Sequence, residues 1–135
     1  YILVGLYNKY GRLRTVLRQY LYKLFGKKIV MILDPTLRNI KKGNTQQIKS
    51  WIKDQYEHPV ESLHTIDEVI VWFDKNDIEF ISSIPSCDFK KDQNINIFKK
   101  SSKGTILSRL FSQISMLFNN LGADGGLFIV VGKKK

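Results

Sequence analysis

The opening stretch YILVGLYN constrains the fold more than any other part of the chain. It is uncharged and alternates too little for a strand with one wet face. It suits a strand covered on both faces, as in a parallel sheet. Such a strand with no lead-in reads as a piece of a larger fold. Its edge carries no proline, charge or bulge to deter pairing, so edge-to-edge self-association is expected, unless IVMIL at 29–33 covers that edge.

Periodicity organises the rest. Leu13, Val16, Leu17, Tyr20, Leu21 and Leu24 predict one apolar stripe of a helix over 12–25, closed by Gly26. That stripe is expected to pack on the protein's own core, leaving Arg12, Arg14 and Arg18 in water. The run IVMIL fits a short strand or a helical turn, and Pro35 to Asn44 read as a basic loop. A helix is predicted over 45–56. Thr65-Ile-Asp-Glu68 forms a capping box ahead of a helix over 65–75. IEFISSIP at 78–85 is a strand ended by Pro85, and 86–104 a polar loop. A long helical stripe runs from Thr105 to Leu121 with Gly122 as its cap, and LFIVVG at 127–132 forms the last strand.

Composition narrows the class. A hydrophobic share of 43% with 12% aromatic residues describes a folded chain, and 135 residues suffice for one domain. The net charge of +10 invites a polyanion partner, but the lysines are scattered through loops and ends. Neither nucleic acid nor a membrane is therefore assigned as partner. The lone Cys87 excludes an intrachain disulfide, and a cytoplasmic location is expected.

Several polar residues are candidates for a substrate pocket. Tyr7 and Asn8 end the first strand, and in open α/β sheets the carboxyl ends of strands line the ligand crevice. The alternative for Asn8 is that it only turns the chain. Gln55, Tyr56, His58 and His64 lie along the passage DQYEHPVESLH. The histidines suit substrate contact or proton transfer, or simply hold the loop. With six positions and Pro59 between them they do not converge on a metal, so no metal site is expected. No catalytic triad is readable from spacing.

GLYNKYGR, DQYEHPVESLHTIDEVIVWF and FISSIP, in that order, resemble the C-terminal half of a family of class I S-adenosylmethionine-dependent methyltransferases. The resemblance runs from Tyr1 to about Gly132. It implies an α/β, partial Rossmann-like fold: a mixed sheet of about three strands, ordered 1–7, 127–132, 78–84 with the middle one antiparallel, and about four helices. It also implies a single domain or half-domain over 1–135, with 12–56 as a lid-like helical insertion. The glycine-rich turn that holds the cofactor in such folds is missing. The cofactor S-adenosylmethionine is therefore expected in the full-length protein and not on this chain alone. The partners implied are the missing N-terminal half, from the same gene product or another chain, and a small-molecule methyl acceptor. The alternative function is a non-catalytic basic module for RNA or an anionic surface.

Overall fold

The computed structural model describes residues 1–40, 44–57, 61–88, 96–118 and 126–135. In chain order the elements are β1 (Ile2–Asn8), α1 (Leu13–Phe25), α2 (Lys27–Leu33), α3 (Pro35–Asn39), α4 (Thr45–Tyr56), β2 (Leu63–His64), α5 (Ile66–Lys75), β3 (Ile78–Ile84), α6 (Ile106–Ser115) and β4 (Leu127–Lys134). They divide into two compact units. One comprises Tyr1–Arg12 with Ser62–Lys135, the other Leu13–Glu61.

The first unit is α/β, built on a mixed sheet of order β2-β1-β4-β3. β4 is antiparallel to both neighbours, meeting β1 from Ile2↔Gly132 to Tyr7↔Leu127. The order expected for 1–7, 127–132 and 78–84 is the order found. β2 adds a fourth strand, parallel to β1 at Tyr7↔Leu63 and Asn8↔His64. At two residues it is too short for any periodic signal. Its ladder reaches only the end of β1. The run at 29–33 lies in helix α2 rather than in a strand.

Alternation along the strands builds the core of this unit. Val4 and Leu6 of β1, Phe128 and Val130 of β4, and Phe80 of β3 gather with Ile66, Val69, Ile70 and Phe73 of α5. The apolar stripe of α5 is thus the one its sequence spells. Its capping box forms as expected, with the Glu68 amide donating to Thr65 Oγ1 and the Thr65 amide donating to Glu68 Oε2. Gly132 is required by packing. A Cβ there would stand 2.6 Å from the ring of Phe73 and 2.4 Å from Ile78. A register shift between Phe80 and Ser82 marks a bulge in β3.

Among the described residues the second unit holds four helices: two at the predicted places, α2 over the run that fits either a strand or a helical turn, and α3, which the sequence reading does not expect. The predicted basic loop at 35–44 begins as helix α3. Asp34-Pro35 both ends α2 and starts α3: the Asp34 amide closes α2 on the Val30 carbonyl, its side chain caps the Thr36 amide at 2.8 Å, and Pro35 sits at the first helical position. α4 begins where predicted, with the Asn44 side chain accepting from the Gln47 amide. Val30, Leu37, Ile52 and Tyr56 form a small core. α1 departs from expectation in a different way. Its apolar stripe is largely exposed, and its buried residue is Thr15. In the first unit, helix α6 ends at Ser115, short of the predicted Leu121. The predicted cap Gly122 lies outside the described residues.

Candidate functional site

Parallel pairing of β1 with β2 sets the candidate site in the first unit. It places Tyr7 and Asn8 beside Leu63 and His64, and the Lys9 amide donates to the His64 carbonyl at 2.9 Å. Three of the expected pocket residues, Tyr7, Asn8 and His64, therefore come together at the carboxyl ends of two parallel strands, where ligands of open α/β sheets bind.

Asn8 is fully buried and its side chain is committed to the protein. Its Oδ1 accepts from the Tyr10 and Gly11 amides at 3.0 and 3.1 Å, which turns the chain out of β1. Its Nδ2 donates to Gln113 Oε1 at 2.8 Å. The same Gln113 oxygen accepts from the Ile66 amide, and Gln113 Nε2 donates to Asp67. Asp67 in turn accepts from Arg109 Nε at 2.6 Å. This buried relay ties the end of β1 to the start of α5 and to α6. Asn8 thus serves as a scaffold for its neighbours. Nothing in its local sequence names Gln113, which lies 105 residues away.

Tyr7 and His64 remain partly accessible. The guanidinium of Arg12, itself buried, lies 4.2 Å from the centre of the Tyr7 ring, a cation–π contact that holds the ring in place. His64 Nδ1 lies 3.0 Å from Glu68 Oε2, and its ring meets Trp72 edge-on with centroids 5.1 Å apart. A carboxylate only accepts, so a neutral His64 donates from Nδ1 and keeps the lone pair on Nε2. The sequence marks Glu68 as a capping residue; its second duty, orienting His64, emerges only in the fold.

The other expected pocket residues fall elsewhere. His58 lies outside the described residues. Gln55 and Tyr56 sit together in the last turn of α4, both buried, within the second unit. Gln55 donates to Asp54 and its carbonyl accepts from Gln19. The Tyr56 hydroxyl donates to Asp34 Oδ2 at 2.6 Å, the oxygen that also accepts from Trp51 Nε1 at 2.9 Å. Arg18 stands 3.5 Å from the other oxygen. Burial alone would raise the Asp34 carboxyl. The hydrogen bonds from Tyr56, Trp51 and the Thr36 amide, with the charge of Arg18, outweigh it and hold the carboxyl below its ordinary value.

Among the described residues the glycines offer no cradle for a phosphate or nucleotide at the end of β1. A Cβ on Gly11 would stand 2.8 Å from Gly126 Cα, so that close approach is taken up by the protein's own backbone. Burial pushes the Cys87 thiol up, and Ser83 shares a hydrogen bond with it. A cavity of about 430 Å³ lies at the start of β3, floored by Ile78 and Phe80. Its Lys100 and Lys103 are ion-paired with Glu79 and Asp74, which leaves it nearly neutralised. Among the described residues no His, Cys, Asp and Glu side chains group as metal ligands, and no helix is long and apolar enough to cross a membrane.

No protein-family model, no curated protein and no solved structure matches this chain.

Proposed function

We propose that this chain is the acceptor-side portion of an S-adenosylmethionine-dependent methyltransferase that acts on a small molecule. The observation that supports it is the strand arrangement, in which β4 is inserted antiparallel between β1 and β3. That is the order the resemblance implies for the end of such a sheet. The described glycines do not fit the cofactor, as Gly11 is packed against Gly126. S-adenosylmethionine would therefore be held by the N-terminal half, from the same gene product or another chain, and would supply the methyl group.

The residues of this chain serve the acceptor. Tyr7 lines its pocket, and His64, oriented by Glu68, takes a proton from an acceptor hydroxyl or amine at Nε2. The acceptor's heteroatom–hydrogen bond breaks, its electron pair stays on the heteroatom, and the imidazolium returns the proton to water. The buried relay through Asn8 and Gln113 keeps the β1 end in register with the start of α5.

Calorimetry with S-adenosylmethionine tests this reading on two proteins, the 135-residue chain and the complete product that carries it. Saturable binding is expected only for the complete product, together with transfer of labelled methyl to small molecules. His64→Ala there should lower turnover about 100-fold while leaving cofactor binding intact. A complete product that neither binds the cofactor nor transfers methyl contradicts the reading. Saturable binding by the 135-residue chain would place the cofactor site within it.

A further inference from the structure

Helix α1 is turned inside out relative to its sequence. Its polar side holds it to the rest of the second unit. Arg18 pairs with Asp34, Gln19 Nε2 donates to the Gln55 carbonyl at 2.9 Å, and the Tyr22 hydroxyl donates to Glu57 at 2.7 Å. Its apolar stripe faces water. Leu17 is 60% exposed, Tyr20 62%, Leu24 75% and Phe25 66%. Leu13, Leu17, Tyr20 and Leu24 recur at helical spacing along one face about 17 Å long, and Phe25 adds an exposed ring at its C-terminal end. α2 adds exposed Ile32 and Leu33.

The charges on this stretch have one sign. From Leu13 to Leu33 the chain carries Arg14, Arg18, Lys23, Lys27 and Lys28 and no Asp or Glu. Arg14, Lys23, Lys27 and Lys28 are exposed. A polypeptide partner for a greasy face of this kind would have to carry acidic groups at its edges to meet Lys23, Lys27 and Lys28. A bilayer with anionic headgroups satisfies both features together. Leucine and aromatic side chains enter the acyl boundary, while lysine and arginine reach headgroup oxygens. The face is too short to span a membrane and long enough to lie on one.

We propose that the exposed face of α1 docks the protein on an anionic lipid surface, with the helix lying in the plane of the headgroups. This goes beyond the acceptor-site reading and does not depend on it.

Co-sedimentation tests it, using vesicles of phosphatidylcholine containing one quarter phosphatidylserine and vesicles of phosphatidylcholine alone. The chain should pellet with the anionic vesicles, and about tenfold less with the neutral ones. The double variant Leu17→Glu, Leu24→Glu should lower pelleting with anionic vesicles about tenfold, and Lys27→Glu with Lys28→Glu by a smaller factor. These positions are exposed, so the variants should keep the parent's melting curve, which circular dichroism checks. Tyr20→Trp should show blue-shifted emission on the anionic vesicles, which reports insertion rather than charge attraction. Failure of the parent chain to pellet overturns the proposal. So does pelleting that is indifferent to the glutamates, or a tryptophan that stays in water, since either means contact through scattered lysines. Self-association without lipid, abolished by the same glutamates, would assign the face to a second copy and also overturn it.

Discussion

The two units are held together by different means. The first rests on an apolar face, where strands β1, β3 and β4 present alternating side chains to the stripe of α5. The second has a smaller apolar core, and much of its organisation comes from one buried carboxylate. Asp34 caps α3 and accepts from two side chains of α4, while Arg18 of α1 stands beside it. Apolar burial is non-directional and tolerant of small errors. A buried charge is stable only while every partner is in place, and loss of one leaves the others unsatisfied. The first unit should thus respond most to lost volume, and the second most to lost hydrogen bonds or lost charge.

Four substitutions sharpen that contrast. Each unit contains one tryptophan, Trp72 in the first and Trp51 in the second. Fluorine NMR of 5-fluorotryptophan-labelled protein can therefore follow them separately through a denaturant titration. Phe128→Ala, at a fully buried ring of β4, should cost the first unit about 4 kcal/mol. Asp34→Asn should cost the second about 3 kcal/mol, because an amide cannot accept at both oxygens or balance Arg18. Gln113→Ala should cost the first unit about 2 kcal/mol by leaving Asn8 Nδ2 and the Ile66 amide buried without an acceptor. Thr65→Ala should cost about 1 kcal/mol, the usual worth of a helix cap. If Asp34→Asn left the Trp51 transition unmoved while Phe128→Ala displaced it, the contrast would fail.

What could be read beforehand follows the same division. The first unit was legible because its signals are local and periodic. Short apolar runs bounded by turn residues mark β1, β3 and β4, and Thr65 to Glu68 spell a cap. The resemblance then orders the strands. β2 escaped because two residues carry no period. α3 escaped because Asp34-Pro35 reads as a stop, whereas here it is at once the stop of α2 and the start of α3. The stripe of α1 was legible as a pattern but not in its direction. Periodicity says which residues share a face, whereas the partners of Arg18, Gln19 and Tyr22 decide which face turns inward. The candidate site was half legible. Tyr7 and Asn8 follow from a rule about strand ends, and His64 from its place in the polar passage DQYEHPVESLH. Glu68 as the orienting partner of His64, and Gln113 as the anchor of Asn8, depend on contacts that no local window contains.

The claim that one ionised carboxylate organises the second unit is tested most directly by acid. Asp34 has its folded pKa lowered, so its contribution is present above the unfolded value near 4 and is lost as pH falls through the folded one. The first unit contains a carboxyl lowered by hydrogen bonding to Lys100, that of Glu79, but this pair is at the surface and screened, so its effect should be small. The measurement is the denaturation midpoint of each fluorotryptophan resonance at neutral pH and at about pH 3, for the parent chain and for Asp34→Asn. The Trp51 midpoint of the parent should fall on acidification by more than the Trp72 midpoint, and Asp34→Asn should remove that excess while leaving the Trp72 response unchanged. Equal falls in the parent, or an excess that persists in Asp34→Asn, would contradict the account.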